Sequence, residues 1–240
     1  MKVRARSTMS ANRTTARVAG ILFIIATAAN LLSIVFLGSL DGPDYLTKIS
    51  QNKGQVGIGV LLLLIAAFAS AAIAMSLYPV LKRYREGLAI GAVGFRIIEG
   101  VFYAVGAVSV LLLLTLSQEF VKAAAPDSSS FETLGTLLKA VRDWVGVAGI
   151  LAFYPGAFMY YFIFYESRLV PRWLSGWGVV GAVLGIVAAM LVLFGVAGSM
   201  SIVQVVLNVP IGVQEMVLAV WLIAKGFRPS PAATGSAELT

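Results

Sequence analysis

The chain has 240 residues, 59% of them apolar and only 12% charged, with a mean hydropathy of +0.92 and a net charge of +7. Soluble domains carry about 45–50% apolar and about 25% charged residues, so the apolar excess calls for lipid as the solvent. The absence of Cys and His excludes disulfides, thiol nucleophiles, thiolate metal sites, an imidazole base and a histidine-ligated haem, and leaves only carboxylates and carbonyls for a metal site, which suit Mg or Ca.

A spanning helix needs about 20 mostly apolar residues. Six stretches qualify: residues 16–37, 55–81, 88–116, 144–165, 173–194 and 202–224. The first is long for a signal peptide and is followed by Leu40-Asp41-Gly42-Pro43 rather than a small-x-small cleavage site, so it is read as a retained helix. Residues 1–15 form a basic arm whose first eight positions are expected to lack structure, residues 16–228 the membrane domain, and residues 229–240 a small, polar, disordered tail. The fold class is therefore all-α, an integral membrane bundle of six transmembrane helices.

The loop over residues 117–143 carries Ser129-x-x-Glu132, which reads as a capping box, followed by Leu134, Leu137, Leu138 and Val141 at helical spacing. The fourth span is thus expected to begin as an amphipathic turn outside the membrane. Pro155 and Pro210, each beside a Gly one or two positions on, predict kinks at mid-depth in the fourth and sixth spans. Gly87-x-x-x-Gly91 and Gly181-x-x-x-Gly185 permit close helix approach within the bundle.

Basic residues fix the expected orientation. Twelve of the 18 Lys and Arg fall in the N-terminal arm and at Arg17 beside it, around residues 82–85 and 168–172, and after the last span; five lie in the longer loops of the other side. By the positive-inside rule both termini are cytoplasmic. This distribution reads as topology rather than as a nucleic-acid surface, since no basic stripe is interleaved with aromatics. Trp173, Trp177 and Trp221 suit an inner aromatic belt and Trp144 an outer one.

Chemistry shows in one place. Arg96 and Glu99 lie in the third span and Glu215 in the sixth, where an unpaired charge costs roughly 3 kcal/mol or more. Arg96 and Glu99 are three apart and share a helix face, which Tyr103 continues. In the sixth span Gln204, Asn208 and Glu215 form a second polar stripe, with Gln214 beside it. At 1.5 Å per residue, Glu99 lies about 18 Å and Glu215 about 15 Å from the cytoplasmic edge. The third and sixth spans are therefore expected to be neighbours, with Arg96 between the two glutamates.

Fully ionised, the cluster is one positive charge against two negatives, so one glutamate should hold a proton or recruit a cation. The competing reading is a buried ion pair that fixes helix register. A third, an intramembrane enzyme acting on lipid, would call for an acidic metal motif or more polar residues at a membrane face, and neither is present. Gly195-Val-Ala-Gly-Ser199 loosely resembles a nucleophilic-serine turn, but without His or an intramembrane Lys it has no base. No catalytic residue, metal site or cofactor is expected. The partners expected are the lipid bilayer and an unidentified small ligand or ion.

Three stretches carry a family resemblance. The first is Ser76-Leu-Tyr-Pro-Val-Leu-Lys-Arg-Tyr84 with Glu86-Gly-Leu-Ala89 and Gly94-Phe-Arg-Ile-Ile-Glu99. The second is Leu169-Val-Pro-Arg-Trp-Leu-Ser-Gly-Trp-Gly178, and the third runs from Pro210-Ile-Gly-Val-Gln-Glu215 to Phe227. Together they resemble the family catalogued as domain of unknown function 4386, mostly bacterial multi-pass membrane proteins, over about residues 12–228. The resemblance implies a bacterial cytoplasmic membrane protein without an established activity. Its motifs include the positions of Arg96, Glu99, Gln214 and Glu215, and of Pro79, Pro171, Arg172 and Trp173 at helix ends.

Overall fold

The computed structural model describes residues 2–38, 42, 44–123, 129–198 and 201–228. Within them lie seven helices and no strand: α1 (Lys2–Leu37), α2 (Tyr45–Gln51), α3 (Lys53–Leu81), α4 (Glu86–Ala123), α5 (Ser129–Ser167), α6 (Arg172–Leu193) and α7 (Ile202–Ala224). Six are long and apolar enough to cross a membrane: α1 from Asn12 onward, and α3 to α7. The chain is a multi-pass membrane protein, and its outer surface agrees. Val35, Phe68 and Phe194 are about 70% exposed or more, which water would penalise and lipid does not.

Each helix has a local reason for its limits. Pro171 precedes Arg172 at the start of α6, where a missing N–H costs nothing. Gly195 at φ 67° follows the end of α6, and Gly226 at φ 71° follows α7, both in the left-handed region that glycine enters freely. Ser201 caps α7, its hydroxyl accepting from the Gln204 amide.

Three boundaries differ from the sequence reading. α2 occupies part of the expected first loop; Leu46 and Ile49, three apart, bury the helix against α4. α4 runs to Ala123, several residues beyond the apolar stretch, its end carrying the Glu119–Lys122 ion pair. The expected amphipathic turn is the first part of one 39-residue helix, α5, with Glu132 in its first turn. In addition, α1 is helical from Lys2, where no structure was expected: no Gly or Pro interrupts residues 2–16. α5 and α7 run unbroken through Pro155 and Pro210. The C-terminal tail over residues 229–240 lies outside the described residues.

The six long helices close into a ring in chain order. α1 packs on α3, α3 on α4, α4 on α5, α5 on α6 and α6 on α7, and α7 returns to α1. One end of the ring, here the terminal face, brings together Arg13 and Gly226, Arg85 and Glu166, and Leu169 and Arg228. The opposite end, the loop face, joins Gln55 to the Phe36 carbonyl, Phe120 to Phe131 and Tyr45 to Glu132. The larger apolar cluster fills the terminal half, around Phe23, Leu77, Tyr160, Tyr161, Phe164 and Leu222. A smaller one lies under the loop face around Leu37, Ile49, Val60 and Leu113.

Glycines set the closeness of the ring. A Cβ on Gly181 would meet Ile211, and one on Gly185 would run into the Tyr154 ring. The α6 small-residue motif thus serves packing inside the bundle. In the α4 motif only Gly91 does so, against Met159, while a Cβ on Gly87 would meet nothing.

Candidate buried charge site

Arg96 and Glu99 form an ion pair at 3.0 Å on one face of α4, with both side chains about 3% exposed. The pair is held from three helices. The Arg96 Nε donates to the Ser70 carbonyl of α3 at 3.3 Å, and the guanidinium lies 4.8 Å from the Phe153 ring centre of α5. The hydroxyls of Ser70 and Tyr103 approach the Glu99 carboxylate. Arginine suits this place because its planar group can face a carboxylate, a carbonyl and a ring at once.

Glu215 is placed differently. It lies on α7, half-buried, and accepts from the Tyr160 hydroxyl of α5 at 3.4 Å. Among the described residues no salt bridge to Glu215 is formed, although the carboxylate is close enough to Arg96 and Glu99 to feel both charges.

The expected adjacency of the two helices is not. α4 and α7 do not pack along one another, because a ring in chain order puts them on opposite sides. α5 fills the space between, with Tyr160 packed edge-on to Phe23 of α1 and to Tyr161. Arg96 pairs with the glutamate of its own helix and forms no salt bridge with Glu215 among the described residues.

The supporting residues separate into two groups. Tyr103 extends the Arg96 and Glu99 stripe as expected. Gln204 and Asn208 form a hydrogen-bonded ladder: the Asn208 amide donates to the Gln204 carbonyl at 2.7 Å, and the Gln204 amide donates to the Ala188 carbonyl of α6 at 2.6 Å. The Tyr154 hydroxyl donates to Asn208. Gln214 is not on this face; it is fully buried against α6 and donates to the Leu174 carbonyl at 3.1 Å. One residue along a helix is a turn of about 100°, which separates Gln214 from Glu215.

Sequence reasoning missed Tyr160 and Tyr154 as polar partners. A phenol buried at mid-span was the available signal, since such an O–H usually finds an acceptor. The structure has a cavity of about 300 Å³ at the loop face between α1, α3, α4 and α5, with Tyr103 and the Arg142 and Asp143 pair among its lining. Among the described residues no group of three acidic side chains converges as a metal site would need.

No curated protein and no solved structure matches the chain significantly. A family model does match, over residues 18–226, which includes every residue of the charge site, and the chain therefore belongs to the family described as Domain of unknown function (DUF4386).

Proposed function

We propose that the protein is a small proton- or cation-linked carrier of a bacterial cytoplasmic membrane, with both termini on the cytoplasmic side. The observation that carries this reading is the asymmetry between the two glutamates. Glu99 has a guanidinium partner at 3.0 Å, whereas Glu215 has a phenol. A carboxylate in a low-dielectric interior without a cation of its own either holds a proton or recruits one from outside the protein. Glu215 is thus the group that exchanges a proton or cation, and Tyr160 orients it.

The roles of the cluster then divide. Arg96 ties α3, α4 and α5 together through Ser70, Glu99 and Phe153, so it serves as the register lock. The alternative, a purely structural or accessory membrane protein, is favoured by the same three contacts and differs only in the part given to Glu215.

The test compares wild type with Glu215→Gln in proteoliposomes under a proton, Na⁺ or K⁺ gradient. A wild-type flux abolished in a variant of unchanged thermal stability is the expected result. Equal flux in both, or none in wild type together with a stability change in the variant, leaves the structural reading in its place for those ions.

A further inference from the structure

The cavity at the loop face is built differently from the rest of the ring. Its walls are apolar: Ile34 and Leu37 of α1, Leu63 of α3, Phe102 of α4, and Val147 and Ile150 of α5. At about 300 Å³ it falls at the lower end of the roughly 300–1,000 Å³ typical of small-molecule sites.

Two glycines keep it open. Gly106 of α4 and Gly146 of α5 both line it, and a Cβ built on either would meet nothing within 4 Å. On the same two helices, Gly149, Gly156 and Gly100 are pressed against Phe102, Phe95 and Ala67. Those three permit close approach. The first two permit none, yet each weakens its helix by about 1 kcal/mol relative to Ala. What they supply is empty volume.

The polar groups of the cavity are few and their sum is neutral. Arg142 and Asp143 pair with each other at 3.0 Å. The Ser33 hydroxyl donates to the Asn30 carbonyl at 2.7 Å, and Tyr103 faces Glu99. The Asn30 side chain, about 10 Å from the loop-face end of α1 by its rise per residue, is half-buried and lines the cavity. An amide has both donor and acceptor atoms, so a ligand head carrying a donor and an acceptor can pair with it there.

We propose that this cavity binds a neutral amphiphile: an uncharged molecule with an apolar body lying between Gly106 and Gly146 and a hydroxyl or amide head hydrogen-bonded to Asn30. The site is independent of the carrier reading, since neither Glu215 nor Tyr160 lines it. Such a molecule could come from water past Arg142 and Asp143, or from the bilayer past Ile34, which lines the cavity while remaining 48% exposed on the outside of α1.

The test uses the full chain in nanodiscs and photo-labelling, with labelled residues identified by mass spectrometry. The probes are 1-decanol and decanoate, each with a diazirine on its chain and added from water, and a phosphatidylcholine with a diazirine acyl chain built into the bilayer. Labelling of Leu63, Phe102, Val147 or Ile150 by decanol, at least fivefold above decanoate, is the expected result for a water-borne ligand. Labelling of these residues by the phospholipid chain alone assigns the same site to a bilayer lipid. In either case Gly106→Leu and Gly146→Leu, which put a side chain where an added Cβ meets nothing, abolish the labelling, Asn30→Leu weakens the decanol labelling, and Glu215→Gln leaves it unchanged. Decanoate labelling equal to that of decanol, labelling that survives both glycine variants, or no labelling by any probe overturns the proposal.

Discussion

The Tyr160 hydroxyl of α5 lies 3.4 Å from the Glu215 carboxylate of α7, and this contact links two helices that α6 separates in the ring. Tyr160 is fully buried, packed against Phe23, Tyr161 and Phe164, so its hydroxyl position is set by the ring packing. Tyr160→Phe should retain that packing and lose one hydrogen bond, for a stability loss of about 1 kcal/mol. In proteoliposomes it should alter the ion-concentration dependence of any Glu215-dependent flux. Thermal unfolding and flux, measured on the same preparation, separate the two effects.

Arg96 and Glu99 make a pair whose partners are not independent. Arg96→Leu leaves a buried carboxylate without its cation, and Glu99→Leu leaves the guanidinium alone; each should cost about 3–5 kcal/mol. The double variant should lose less than either single change, because no uncompensated charge remains. A double-mutant cycle by denaturant unfolding in detergent reads the coupling, and additive losses would argue that the pair is not a lock.

Glycine substitutions should divide by what faces them. Gly185→Ala drives a methyl into the Tyr154 ring and displaces its hydroxyl from Asn208, for a loss of about 1–3 kcal/mol. Gly146→Ala meets open space and should stabilise α5 by about 0.5–1 kcal/mol. Unfolding midpoints of the two variants should move in opposite directions.

Orientation can be read directly because the chain has no cysteine of its own. Lys82 ends α3 at the terminal face, and Lys122 lies near the end of α4 at the loop face. In intact cells a membrane-impermeant maleimide should label Lys122→Cys, and should label Lys82→Cys only after permeabilisation. The reverse pattern inverts the assigned orientation, and equal labelling of both in intact cells would mean that α4 does not cross.

Much of the architecture was legible because it depends on composition along short stretches. Twenty apolar residues in a row suffice to define a span, whatever they pack against. Arg96, Glu99 and Glu215 stood out for the same reason, as charges in segments that exclude water. The limits of α4 and α5 were less legible, because both helices extend past the apolar stretch on polar residues that the sequence reading placed in a loop.

By itself the sequence determined the number of spans and the family, since both follow from composition and motifs along single stretches of chain. Only the tertiary structure decided the partners of the three ionisable groups. The ring order sets α4 opposite α7, gives Arg96 to Glu99, Ser70 and Phe153, and gives Glu215 to Tyr160. It also turns Gln214 toward α6 and opens the cavity between Gly106 and Gly146. Contacts between residues tens of positions apart depend on which helices pack and how each is rotated, and periodicity within one helix carries no information on either.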